Sequence, residues 1–394
     1  MGEHHTTASL PSYHSVSWSR LAFERYPCCL LHGGTFMATT TRREALQWVS
    51  GAVASALLPL RASAQAPAFP KGAVIRTLFK DYAPEELAGG ATLFHEHLSL
   101  GPDFGDRFRA ASAAVLAAQG APPTQRPAGP PPAPTGPDPM RDVDLMVEEL
   151  KSAQRDGVAC IVDAGLEGAG TDLEFIRAAA MKSGLPVVKG AGFYTEPFYP
   201  QEVATTSEEQ LVRALVRQAD TYPAGVFGEI GSWDEITAVE RKVFRAVGKA
   251  HVATNLPIFT HTGIPGKSAL EQLDILEDAG VDPKRVCIGH LGNLNDPNVY
   301  VHKTICRRGG FVGFDRQGGN GDANVVPLVI ALLDAGFADH VLISGDASRG
   351  YARPVTSFLP KLTAAGADDA TLKRIMVDNS RRFLAFVPKR ARNA

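Results

Sequence analysis

The feature that most restricts this chain is a repeated unit, in which a short apolar run is followed by a helical stretch eight times over. The runs are Ala91–His97, Ala159–Ala164, Pro186–Tyr194, Val226–Ile230, Ile258–Thr262, Val286–His290, Phe311–Arg316 and Val341–Asp346. Strands that alternate with helices pair in parallel, because the helix carries the chain back over the sheet. Eight such units predict an α/β fold, a (β/α)8 TIM barrel occupying residues 65–394 as one domain. The intervening helices show the expected period; Ser268–Gly280 sets Leu270, Leu273, Ile275 and Leu276 on one side and stops at glycine. Val74–Tyr82, ahead of the first strand, reads as a small hairpin closing the barrel bottom.

Several runs end in a polar residue, and in a barrel the strand C-termini build the active site. His95 and His97 end the first run, Glu229 lies in the fourth, and His261, His290 and Asp346 lie at the ends of the fifth, sixth and eighth. Residues i and i+2 of a strand share a face, so His95 and His97 can serve one ion. Four imidazoles and two carboxylates at one mouth would be costly to desolvate without metal ions. Imidazole with carboxylate suits zinc and its neighbours better than calcium or magnesium. Lys189 on the third strand reads as solvated or salt-bridged, and His251, His302 and His340 fall away from strand ends.

With these residues in place, the chain is similar to the phosphotriesterase family of the amidohydrolase superfamily, from about Val74 to Phe386. The likeness extends to Arg285-Val286-Cys287-Ile288-Gly289-His290 and to Thr260-His261-Thr262. The resemblance implies a binuclear centre at the C-terminal mouth: His95, His97 and Asp346 on one divalent ion, His261 and His290 on the other, and Glu229 bridging. Zinc is the expected metal, with manganese, cobalt or iron as alternatives. Two ions sharing a water would lower its pKa toward neutrality, and Asp346 would accept its proton.

The family's phosphotriesterases and lactonases usually bridge with a carboxylated lysine, whereas Gly228-Glu229-Ile230-Gly231 offers a glutamate. That departure loosens the substrate. A lactone or carboxylic ester is expected, with phosphotriester or N-acyl amide hydrolysis as alternatives and a periplasmic metal- or ligand-binding barrel as the non-enzymatic one. Phe314-Asp315-Arg316 resembles an Asp-Arg pair of the lactonase branch; Arg316 either binds a substrate carboxylate or leaving oxygen, or pairs with a loop carboxylate such as Asp322. Tyr194 either lines the substrate pocket or donates a hydrogen bond there, as a catalytic residue, or merely packs. Ser344 and Ser348 lie in no nucleophile elbow and read as structural.

Composition excludes other classes. At a net charge of -2 with 21% charged residues, neither nucleic acid nor an anionic membrane is implied, and a small-molecule substrate is the expected partner. Five cysteines form neither a zinc cluster nor a disulfide framework; Cys160 and Cys287 read as buried apolar residues. Thr41-Arg42-Arg43 ahead of the apolar run Gln47–Leu60 and Ala62-Ser63-Ala64 resembles a twin-arginine export signal, residues 37–64. That run falls short of the roughly twenty residues a spanning helix needs, so a removed signal is expected rather than a permanent membrane anchor. Residues 1–36 read as an over-extended start or a disordered segment. Export by the twin-arginine machinery would place the protein in the periplasm or outside the cell, and a signal that does not function would leave it cytoplasmic. The family resemblance suggests a homodimer. The proline-rich stretch 121–139 reads as an insertion over the mouth, a lid or a disordered loop.

Overall fold

A computed structural model describes residues 67–118 and 136–389, apart from 222, 264, 265, 295 and 297. The expected start 1–36, the export signal 37–64 and all but the last four residues of the stretch 121–139 lie outside the described residues.

Eight parallel strands form a nearly closed barrel in sequence order. They are β1 Ala91–Glu96, β2 Val158–Asp163, β3 Val187–Ala191, β4 Ala224–Ser232, β5 Ile258–Thr262, β6 Val286–Ile288, β7 Phe311–Phe314 and β8 Val341–Ile343. Six of the eight expected strands were drawn too long at the functional end. His97, His290, Asp315, Arg316 and Asp346 all lie past the ladder. His290 and Asp346 take positive φ angles of 59° and 47°, which breaks the extended run. A strand lengthened through them would lose the turns that set their side chains.

Consecutive strand residues serve two cores. Phe94, Val162, Val188, Val226, Phe259 and Leu342 fill the barrel interior. Leu93, Ile161, Val187, Ile258 and Ile343 pack outward, with Leu150, Ile176, Leu215, Phe244 and Leu276 of the helices in the same cluster. Each such buried side chain contributes about 1.5–3 kcal/mol of transfer free energy. The helices begin where the sequence supplies caps: Asp142 accepts from Asp144 N and Leu145 N, Asp172 from Phe175 N, and Thr237 with Glu240 makes a capping box.

The hairpin is present, Ile75–Arg76 pairing antiparallel with Asp81–Tyr82. Leu78 N donates to Val187 O at the start of β3, which places the hairpin at the N-terminal end of the barrel. The helix expected over Ser268–Gly280 runs Ala269–Asp278. Cys160, Cys287 and Cys306 are buried free thiols. Among the described residues no helix is long and apolar enough to cross a membrane.

Two irregularities matter for the site. The β1–β2 register slips between Leu93 and Glu96, and the β4–β5 register slips between Phe227 and Ile230. Bulges of this kind re-aim side chains, and here they fall on the segments carrying His95 and Glu229. Sequence alternation alone would have set Phe94 and His95 on opposite faces. In the structure both rings approach Phe259, at 6.1 and 5.1 Å.

Candidate metal centre

All six expected ligands meet at the C-terminal mouth. Asp346 Oδ1 lies 3.0 Å from His97 Nε2 and 3.5 Å from His95 Nε2. Glu229 reaches four histidines: Oε1 is 3.4 Å from His97 Nε2, and Oε2 is 3.5, 2.7 and 3.5 Å from His95 Nε2, His261 Nδ1 and His290 Nε2. Two groups have ligand atoms close enough to share an ion, His95 with His97 and Asp346, and His95 with Glu229 and His290. The expected second set held His261 with His290. Here His261 Nδ1 lies 2.7 Å from both His290 Nε2 and Glu229 Oε2, and the Tyr194 hydroxyl sits 3.2 Å from the same nitrogen.

The residue that sequence reasoning underrated is Asp315. Its Oδ2 accepts from His95 Nδ1 at 3.0 Å, and its Oδ1 accepts from His290 Nδ1 at 2.8 Å. Each histidine therefore presents Nε2 to the cluster, the arrangement by which a carboxylate fixes the tautomer of a ligating imidazole. The Asp-Arg pair at the end of β7 was the available signal, but it pointed only to Arg316.

Glu96 was also missed. It projects away from the cluster to the seam between β1 and β8, which no strand ladder closes. Its Oε1 accepts from Ser344 Oγ and Gly345 N, both at 2.7 Å, and Oε2 accepts from Ala347 N at 2.9 Å. Ser344 Oγ in turn accepts from His95 N at 3.0 Å, which gives that serine its structural role. Asp346 N to His95 O and His97 N to Ala347 O, at 3.0 and 2.9 Å, finish the seam. Burial pushes the Glu96 carboxyl up to about 7 despite these donors.

Arg316 does not pair with Asp322. Its Nε donates to Asp346 Oδ2 at 2.9 Å, while Asp322 binds Lys361 Nζ at 2.5 Å and caps Gly318 N and Gly319 N. Asp322 sits in the first turn of the next helix, where those backbone donors compete for it. Lys189 is buried rather than solvated; it pairs with Asp163 Oδ2 at 3.1 Å, and Asp163 Oδ1 accepts from Leu98 N just past His97. His251, His302 and His340 bond backbone carbonyls of Leu256, Leu291 and Gly310.

An unexpected helix, Phe104–Ala118, lies over one side of the mouth. Phe108 stands 5.7 Å from the Trp233 ring and 6.4 Å from His261, and Phe104 lies 6.1 Å from Tyr194. This side of the opening is therefore aromatic.

The donor set fits divalent ions. His95 Nε2 is buried without a hydrogen-bond partner and faces Glu229 and Asp346. Burial disfavours charge, yet the Glu229 and Asp346 carboxylates raise His95, and Asp346 and Glu229 raise His97 to about 9. The Glu229 and Asp346 carboxylates thus favour positive charge where the His95 and His97 rings meet them, which divalent cations can supply. Burial and neighbouring His290 lower His261 to about 4, leaving a neutral imidazole suited to ligation.

Fold and site together define a barrel hydrolase with a metal-binding cluster at its C-terminal mouth. Residues 83–384 match the model of the phosphotriesterase family, and the chain belongs to that family of metal-dependent hydrolases. It is 31% identical over 259 residues to a phosphotriesterase homology protein of Escherichia coli, covering 61% of this chain and 88% of the relative. It is 26% identical over 278 residues to an N-acetyltaurine hydrolase of Dictyostelium discoideum, covering 63% and 75%. A solved lactonase of Listeria monocytogenes superposes with a TM-score of 0.63 at 25% identity, covering 79% of this chain and 98% of the lactonase.

Proposed function

We propose that this hydrolase cleaves an ester-like bond, a lactone or carboxylic ester, using zinc held by His95, His97, Glu229, His261, His290 and Asp346. The observation carrying the reading is Asp315, which turns the Nε2 atoms of His95 and His290 onto Glu229 through bonds of 3.0 and 2.8 Å. Divalent ions in such a site supply a Lewis acid and an activated water.

The remaining work falls to the chain. Asp346 is the cluster carboxylate open to solvent, with 16% of its side chain exposed against 5% for Glu229 and 1% for Asp315. A proton taken during attack therefore leaves through Asp346. Against burial, His95, His97 and Arg316 hold its carboxyl well below the usual range, so it is ionised. Arg316 spends Nε on Asp346 and can aim its other N–H groups at a substrate carboxylate or leaving oxygen. Burial and the nearby carboxylates keep the Tyr194 phenol protonated, able to donate to the substrate. Phe108 and Trp233 exclude water on the same side.

N-acyl amide hydrolysis is the second reading, supported by Glu229 in place of a lysine and by the N-acetyltaurine hydrolase among the relatives. Metal-loaded protein should turn over lactones and aryl esters faster than phosphotriesters or N-acyl compounds. Faster N-acyl turnover would favour the second reading, and no turnover on any panel with metal bound would overturn both. Elemental analysis of the purified protein distinguishes zinc from manganese, cobalt or iron.

We further assign residues 37–64 to twin-arginine export and the mature protein to the periplasm or medium, on the strength of Arg42-Arg43 and the apolar run after them. N-terminal sequencing of the exported protein should begin near Gln65. Light scattering tests the homodimer that the family resemblance suggests.

A further inference from the structure

The loops after β6 and β7 enclose a cavity of about 270 Å³ beside His290, lined by Asn293, Arg316, Gln317 and Asn324 among others. Its lining shares no residue with the aromatic side formed by Phe104, Phe108 and Trp233, and its chemistry is different. Asn293 Nδ2 and Gln317 Oε1 are buried there without hydrogen-bond partners, and Gln317 as a whole is only 4% exposed. Buried polar groups are ordinarily satisfied, so two unpartnered amides in one cavity point to a ligand that satisfies them.

The charge of that ligand follows from the surroundings. Arg316 gives Nε to Asp346, and among the described residues no hydrogen bond reaches its terminal nitrogens. Helix Asp322–Asp334 starts at the cavity, bringing its positive end there with Asn324 in the first turn. The nearby acids are already engaged: Asp315 by His95 and His290, Asp346 by His97 and Arg316, and Asp322 by Lys361. What remains is a cation, an amide donor and an amide acceptor.

We propose that this cavity is the subsite for the leaving fragment of the substrate, and that it takes a carboxylate with an O–H or N–H donor nearby. The carboxylate meets Arg316 and Asn293 Nδ2, and the donor meets Gln317 Oε1. The proposal deepens the hydrolase reading and rests on it: the preferred substrates are esters bearing an acid on the alcohol side, cleaved next to His290.

The test compares zinc-loaded wild-type protein with Asn324→Asp and Asn324→Lys, which alter charge at an exposed position of the cavity wall and spare the core. The substrates are 3-acetoxypropanoate and its methyl ester, and binding of 3-hydroxypropanoate is followed by calorimetry. Asn324→Asp should lower the acid-to-methyl-ester ratio of kcat/KM roughly tenfold, mainly through KM, and weaken 3-hydroxypropanoate similarly, while Asn324→Lys shifts both the other way. Gln317→Leu should weaken 2,3-dihydroxypropanoate more than 3-hydroxypropanoate, which keeps the leaving oxygen and the carboxylate but lacks the second hydroxyl that Gln317 Oε1 would accept from. If both ratio and binding ignore the charge at 324, the carboxylate binds elsewhere, as at the ions alone, and the subsite is overturned. Failure to cleave either ester would count against the hydrolase reading, with 3-hydroxypropanoate binding still deciding the subsite.

Discussion

Asp315 accepts the Nδ1 hydrogen of His290 at 2.8 Å and is itself 1% exposed, so the orientation of that imidazole is set from behind. His95 shares the same carboxylate. Burial would raise the Asp315 carboxyl, but His290 and His95 hold it well below the usual carboxylate range. Asp315→Asn keeps shape and removes one acceptor, leaving one histidine free to turn. We expect metal affinity to fall about 10- to 100-fold. Metal content after dialysis against a graded chelator series measures this, with circular dichroism confirming the fold; unchanged retention would refute the positioning role.

Asp346→Asn separates proton transfer from metal holding. The amide can still offer an oxygen to an ion but cannot take a proton, so kcat should fall about 10²- to 10⁴-fold while part of the metal remains. Paired measurement of turnover and metal content decides it. A rate like that of wild type would remove Asp346 from the chemistry.

Glu96 provides a test of the barrel seam. Its two oxygens receive Ser344 Oγ, Gly345 N and Ala347 N, on either side of Asp346 in sequence. In Glu96→Gln one oxygen becomes an NH2 facing a donor, which strands a buried backbone N–H. The expected loss is about 1–3 kcal/mol in urea denaturation. Hydrogen exchange should rise first at Gly345 and Ala347, and equal protection at those amides would count against the clamp.

Glu240 supplies a pH dependence away from the metal cluster. Burial raises its carboxyl from 4.5 to about 7, although it accepts from Thr237 N and Glu196 N. The folded state therefore binds more protons than the unfolded state between those values, and stability contributed at low pH is lost as pH rises through about 7. At about 1.4 kcal/mol per unit the change is on the order of 3 kcal/mol. Glu240→Gln should flatten that part of the profile in denaturant titrations from pH 4 to 8. A slope identical to wild type would show that another group is responsible.

Short-range pattern made much of this protein legible. Apolar runs of strand length separated by helical periods predict the barrel, and polar residues at or just past the strand ends mark where its chemistry sits. His95, His97, Glu229, His261, His290 and Asp346 could be named because each follows or lies within its own local run. Strand ends were less legible, since positive φ at His290 and Asp346 is decided by the contacts those residues make across the mouth.

By itself, then, the sequence determined which residues belong to strands and which polar groups stand near their C-terminal ends, because side-chain alternation and helix periodicity act over a few residues. Tertiary structure alone decided who partners whom. Asp315 reaches His95 across 220 residues and Glu96 reaches Gly345 across 249. The same holds for Arg316, which has Asp322 close by in sequence yet pairs with Asp346. Such bonds depend on how a closed sheet brings distant strand ends together, and on which donors reach a buried carboxylate first.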